Sequence, residues 1–138
     1  MKKSLIIFVL FFMSCQKNES EYLDVCFFKR GVNLPMAVNC EAIRDKGFEK
    51  MTIKKNINNQ EFISKLKSEL EKIKTSSDNN DDNNFDAKIH IIAHLDGRTD
   101  TICVGLNKIK LNDALLANSD EIISLIRNEV FNINNVPN

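Results

Sequence analysis

The sequence predicts a small α+β domain, in which an antiparallel sheet of four to five strands carries two amphipathic helices packed on one face. Three observations indicate this class. Several short segments alternate apolar and polar residues, as half-buried strands do. An Asp-Gly pair joins two of these segments and is typical of a tight hairpin. Two longer segments repeat apolar residues at helical spacing. The domain is expected over 22–138.

The first two strands are predicted on either side of a loop-rich connection. The segment 22–30 is rich in residues that favour strands, and a second strand is predicted over 48–55, with Met51 and Ile53 on one face. In the first strand, alternation places Leu23, Val25 and Phe27 on one face and Asp24, Cys26 and Phe28 on the other.

Two amphipathic helices are predicted over 59–74 and 119–131. Each opens with an Asn-x-x-Glu pattern, at Asn58 and at Asn118, which is typical of a capping box. Each carries one apolar stripe, which indicates a buried face rather than a cofactor groove. The stripes consist of Phe62, Ile63, Leu66, Leu70 and Ile73 in the first helix and Ile122, Ile123, Ile126 and Val130 in the second.

The pair Asp96-Gly97 predicts a two-residue hairpin and thereby a register. The register matters because a slip by one residue would exchange the two faces of both strands. It predicts that His90 lies opposite Cys103 on the polar face. On the apolar face it predicts the pairs Leu95–Arg98, Ile91–Ile102, Ile89–Val104 and Ala87–Leu106. A short third strand is expected over 109–111.

The segment 75–85 is predicted to be a flexible loop, because TSSDNNDDNN at 75–84 contains no apolar residue. Its acidic residues do not follow the order of a calcium-binding loop, which needs regularly spaced ligands, a glycine and a distal glutamate. The sequence therefore predicts no metal ion here.

Residues 1–14 form a predicted signal peptide. Lys2 and Lys3 are followed by the apolar run 5–13, which is shorter than the roughly 20 residues that a membrane-spanning helix needs. Ser14-Cys15 then resembles the end of a bacterial lipobox. In bacterial lipoproteins the cysteine carries diacylglycerol, the leader is removed before it, and its new amine is acylated, often with palmitate.

The resemblance implies Cys15 as the lipid attachment site and 15–21 as the lipidated cysteine with a polar tether. The acidic and polar residues after Cys15 are similar to those of surface-exported lipoproteins of the Bacteroidota. The expected location is the outer membrane, lipid-anchored, periplasmic or surface-exposed. Several acyl chains on one residue would hold the protein stably, whereas one chain binds only marginally.

Three cysteines remain beyond the lipid site, so at most one disulfide is expected, with one free thiol. A bridge from Cys26 to Cys40 would close a short loop, and one from Cys26 to Cys103 would join two distant strands. The sequence leaves the pairing open.

Charge argues against a nucleic-acid partner. The chain has 19 basic and 19 acidic residues, and loss of Lys2 and Lys3 with the leader shifts the balance to net acidic. Binding of nucleic acid would require a basic face. The expected partners are the membrane, through the lipid, and a protein or envelope ligand.

No catalytic, cofactor or metal site is predicted. His90 and His94 lie on one face of a strand about 13 Å apart, too far for a shared metal ion. His90 opposite Cys103 suggests a nucleophile pair, but no third orienting residue accompanies it. We therefore expect a non-catalytic, membrane-anchored binding module. The alternatives are an immunity or inhibitor lipoprotein that neutralises one toxin or protease, and an enzyme using Cys103 and His90.

Overall fold

The computed structural model describes residues 20–73 and 85–132, and these form an α+β fold around one antiparallel sheet. Within these ranges the sheet has six strands in the order β2-β1-β3-β4-β5-β6. The strands are β1 (Tyr22–Phe28), β2 (Thr52–Ile57), β3 (Ile89–Leu95), β4 (Arg98–Val104), β5 (Ile109–Leu111) and β6 (Ala114–Leu115).

The sheet contains more strands than the four to five expected, because a hairpin follows β5. Asn112 and Asp113 both have positive φ angles, 48° and 66°, which asparagine and aspartate tolerate better than most residues. The turn brings the two residues of β6 back against β5. So short a strand has too few alternating residues to be recognised from the sequence.

Two helices pack on one face of the sheet, as predicted: α1 (Gln60–Lys72) and α2 (Asp120–Val130). Their apolar stripes meet the odd-numbered side chains of β1 and β3 in the main core. Among the most deeply buried members of this core are Leu23, Ile63, Leu66, Ile91, Ile122 and Ile126.

The predicted helix starts are displaced by one residue. Asn59, rather than Asn58, caps α1, and its side-chain oxygen accepts a hydrogen bond from the backbone N–H of Phe62. Ser119 precedes α2, while Asn118 has a φ of 49°. Both asparagines of the predicted capping boxes therefore lie just outside the position at which a cap acts.

The second strand begins later than predicted. Residues Lys46–Met51 form a 3₁₀ helix, and the strand starts at Thr52. The Thr52 hydroxyl donates to the carbonyl of Phe48 at 3.1 Å. The Phe48 ring packs edge-on against Phe28, with 5.5 Å between ring centroids. This tertiary contact holds the segment in a turn, although its composition favours a strand.

The predicted hairpin register is confirmed from Leu95–Arg98 to Ile89–Val104, including His90 opposite Cys103. The predicted pair Ala87–Leu106 is wrong. Leu106 is 63% exposed, whereas Ala87 is fully buried, and the N–H of Ala87 donates to Val38 outside the hairpin. β4 ends at Val104, so the alternation of faces does not continue to this pair.

Opposite the helices, the segment 32–51 covers part of the outer face of the sheet, and we call it the covering segment. It buries Cys26, Phe28 and Cys103 in a second cluster with its own Val38 and Ile43. Its short 3₁₀ helices are Glu41–Arg44 and Lys46–Met51. The outer face therefore has a covered half and an open half.

A disulfide joins Cys40 to Cys103, with 5.8 Å between the Cα atoms, and Cys26 is a buried free thiol. One bridge and one free thiol agree with the expected count, but neither suggested pairing is present. The covering segment lays Cys40 over β4, whereas Cys26 points its sulphur towards the carbonyl of Ile43 at 3.7 Å.

The predicted leader 1–14, the lipid site Cys15 with residues 16–19 of the predicted tether 15–21, and residues 75–84 of the predicted loop 75–85 lie outside the described residues. Within 20–73 and 85–132, neither helix is long and apolar enough to cross a membrane.

Candidate functional site

The open half of the outer face lies next to the β3–β4 turn, where β1 and β4 begin and β3 ends. Two rows of side chains cross these strands, because antiparallel pairing sets partners side by side. The row nearest the turn consists of Tyr22, His94 and Thr99, and the next consists of Asp24, Ile92 and Thr101. Asn56 of β2 extends the second row beyond Asp24.

His94 is the centre of this surface. The Tyr22 ring stacks on its imidazole, with centroids 4.3 Å apart and planes 20° apart. Its Nε2 lies 3.6 Å from Oδ2 of Asp24, and its Nδ1 lies 3.4 Å from the hydroxyl oxygen of Thr99. Asn56 donates to the other oxygen of Asp24 at 2.9 Å. An aromatic face, an imidazole, a hydroxyl and a carboxylate thus converge.

A pocket of about 330 Å³ lies beside the first row, between the start of β1 and the β3–β4 turn. This volume is at the small end of the range for ligand pockets. The lining residues are Ser20, Glu21, Tyr22, His94, Gly97, Arg98 and Thr99. Gly97 has a φ of 70°, as expected for the second position of the tight turn.

Charged side chains hold the rim of this pocket together. Lys67 of α1 donates to Glu21 at 2.8 Å and to Asp96 at 2.7 Å. These bonds raise the pKa of Lys67, and the bond to Lys67 lowers the pKa of Asp96. The N–H of Asp96 also donates to Glu21 at 3.0 Å. The start of β1 is therefore fixed against the turn.

His90 occupies the border between the open and covered halves. Arg44, from the covering segment, donates through Nε to His90 Nδ1 at 2.8 Å and through an Nη to the carbonyl of Asp24 at 2.7 Å. Burial, and to a lesser degree the nearby guanidinium of Arg44, lowers the pKa of His90 to about 4. His90 is thus neutral at pH 7, with its proton on Nε2.

The structure places the residues considered for chemistry in separate roles. His90 does neighbour Cys103 across β3 and β4, but the Cys103 sulphur is bonded to Cys40, so this pair offers no thiolate. His90 and His94 share one face without a common third ligand. In the described ranges, no group of three or more histidine, cysteine or acidic side chains is placed to hold a metal ion.

Sequence reasoning did not single out Tyr22, Asp24 or Arg44 as site residues. The alternation in β1 gave a signal for Asp24, since it placed this carboxylate on the face opposite the core. Arg44 carried no signal, because its partners lie 20 and 46 residues away along the chain.

The sequence matches no protein-family model, and neither the curated proteins nor the solved structures compared with it give a match. The geometry of the site therefore supplies the argument for function.

Proposed function

We propose that this protein is a membrane-anchored lipoprotein that acts as a non-catalytic binding module in the cell envelope. The open half of the outer sheet face is its binding surface, and the convergence of Tyr22, His94, Asp24 and Thr99 beside a pocket is the observation that carries the proposal. The lipid on Cys15 holds this surface at the membrane.

The arrangement places several groups suited to recognition on one surface. His94 lies 3.6 Å from Asp24 and 3.4 Å from Thr99, so an imidazole, a carboxylate and a hydroxyl are close enough to contact one ligand together. The stacked Tyr22 ring holds the imidazole in place, and aromatic side chains contribute large contact areas at low entropic cost. The half-buried Ile92 adds apolar area next to these polar groups.

A photoreactive amino acid at the position of Thr99 tests the binding surface in native membranes. We expect it to form a specific crosslinked product, and we expect His94→Ala to weaken that product. The control is the same reagent at Lys65, whose side chain is 62% exposed on the helix side. Crosslinking of equal yield and identity from both positions would contradict a binding role for the open half.

Labelling with palmitate tests the anchor separately. The parent protein should incorporate the fatty acid, and Cys15→Ser should abolish incorporation. Cys26→Ala is the matched control, because Cys26 is a buried thiol within the domain.

The immunity or inhibitor role uses the same open half, so recovery of a toxin or protease in the crosslinked product would select that role.

A further inference from the structure

The described chain enters the domain at the end of the sheet that carries the β3–β4 turn. Antiparallel pairing sets Tyr22 opposite His94, next to that turn. Glu21 is bonded to the N–H of Asp96 and to Lys67, and its carbonyl accepts from Gln60 at 3.0 Å. We call this end, formed by 20–21 and 96–99, the hairpin pole.

Chain geometry limits how far this pole can lie from Cys15. The five residue steps from Cys15 to Ser20 cover at most about 18 Å in any conformation, at roughly 3.6 Å per residue. The six residue steps along β1 from Tyr22 to Phe28 cover a further 20 Å, at about 3.3 Å each. A lipid on Cys15 therefore holds Ser20, at the hairpin pole, within about 18 Å of the membrane, whereas the other end of β1 can lie about 20 Å farther away.

The charges at the hairpin pole are balanced once Lys67 of the neighbouring α1 is counted. Glu21 and Asp96 are acidic, Arg98 is basic, and Lys67 is bonded to both acids. Such a polar surface without net charge can lie on phospholipid headgroups without electrostatic repulsion. The opposite end of β1 continues into the exposed Lys29 and Arg30, and on an anionic bilayer these charges by themselves would favour the reverse orientation.

We propose that the hairpin pole rests on the phospholipid headgroup layer of the membrane that holds the lipid of Cys15. The pocket beside Tyr22 then opens at headgroup level, and the strands rise from the membrane surface. The open half of the outer face stands upright and is presented sideways to envelope partners. This inference rests on the lipid anchor of the proposed function.

The chain contains no tryptophan, so a single introduced tryptophan reports its own distance from the bilayer. The lipidated protein carrying either Tyr22→Trp or Leu106→Trp is reconstituted in vesicles of phosphatidylethanolamine and phosphatidylglycerol containing nitroxide-labelled headgroups. Leu106 lies just beyond the distal end of β4 and is 63% exposed. Tyr22→Trp should lose most of its fluorescence, and Leu106→Trp should retain most of it.

Three outcomes distinguish the anchor from the orientation. Absence of palmitate from the purified protein would refute the anchor itself. Palmitate with equal quenching at both positions, or with stronger quenching of Leu106→Trp, would overturn the orientation. A difference that disappears at high salt would also overturn it, because screening weakens charge attraction but leaves the tether unchanged. Thr99→Trp provides a second probe of the pole if Tyr22→Trp folds poorly.

Discussion

Removal of the Cys40–Cys103 disulfide should lower the free energy of unfolding by about 4 kcal/mol. The two cysteines are 63 residues apart in the sequence, and a cross-link closing a loop of that length restricts the unfolded chain strongly. The chain-entropy relation gives about 14 cal/mol/K for this loop, or about 4 kcal/mol at 25 °C. That is a large part of the 5–15 kcal/mol expected for a small domain.

The perturbation is the double variant Cys40→Ala with Cys103→Ala, compared with the parent protein in urea denaturation followed by circular dichroism. The parent treated with a phosphine reductant should show a similar loss, since reduction opens the same loop. Loss of the bridge should also loosen the covering segment over Cys26, so the alkylation rate of Cys26 should rise in the double variant.

Cys26→Ala is the matched control, because it removes a buried sulphur and leaves the cross-link in place. The free energy of unfolding of Cys26→Ala should still fall when reductant is added. Equal urea midpoints for the oxidised and reduced parent, with the redox state verified by mass spectrometry, would refute the reasoning. A peptide map that joins Cys26 to either other cysteine would refute its structural premise.

Further predictions concern single side chains, each measured by denaturant unfolding. The pKa of His90 is about 4 in the folded protein and near 6.5 in the unfolded chain. The unfolded chain therefore binds this proton first as pH falls. The contribution of His90 should lower the free energy of unfolding by about 3 kcal/mol between pH 7 and pH 4. His90→Gln should reduce this pH dependence, and an unchanged slope would contradict the assignment. Asn59→Ala should cost about 1 kcal/mol through loss of the helix cap, whereas Asn58→Ala should change little; equal effects would place the cap elsewhere. Ile63→Ala should cost about 2–5 kcal/mol by opening a cavity, and Leu106→Ala less than about 0.5 kcal/mol at its exposed site. Similar losses for these two variants would contradict the assignment of the core.

The sequence predicted the parts of the fold that depend on neighbouring residues. Asp96-Gly97 defined both a turn and a register, and the alternation on either side agreed with it, so the pairs from Leu95–Arg98 to Ile89–Val104 followed. The two helices followed from their apolar stripes. Prediction failed where packing overrode a local preference. The residues around Phe48 favour a strand, but they form a 3₁₀ helix in which Phe48 packs against the Phe28 ring.

The candidate site could be predicted only in part. Alternation placed His90, His94 and Asp24 on the outer face, and the hairpin register placed His90 beside Cys103. No periodicity showed that Tyr22 would stack on His94, because that contact depends on the pairing of β1 with β3, which are separated by more than sixty residues. The role of His90 as a buried neutral acceptor likewise depended on a partner supplied from elsewhere.

By itself, the sequence determined the α+β class, the hairpin register and the buried faces of both helices, since periodicity and turn chemistry act over a few residues. The tertiary structure alone decided that Cys40 bonds Cys103 and that Arg44 reaches His90. It also decided that half of the outer face stays open. These contacts join residues 46 and 63 positions apart, and such residues are brought together by the pairing of the strands and by the packing of the covering segment across the sheet.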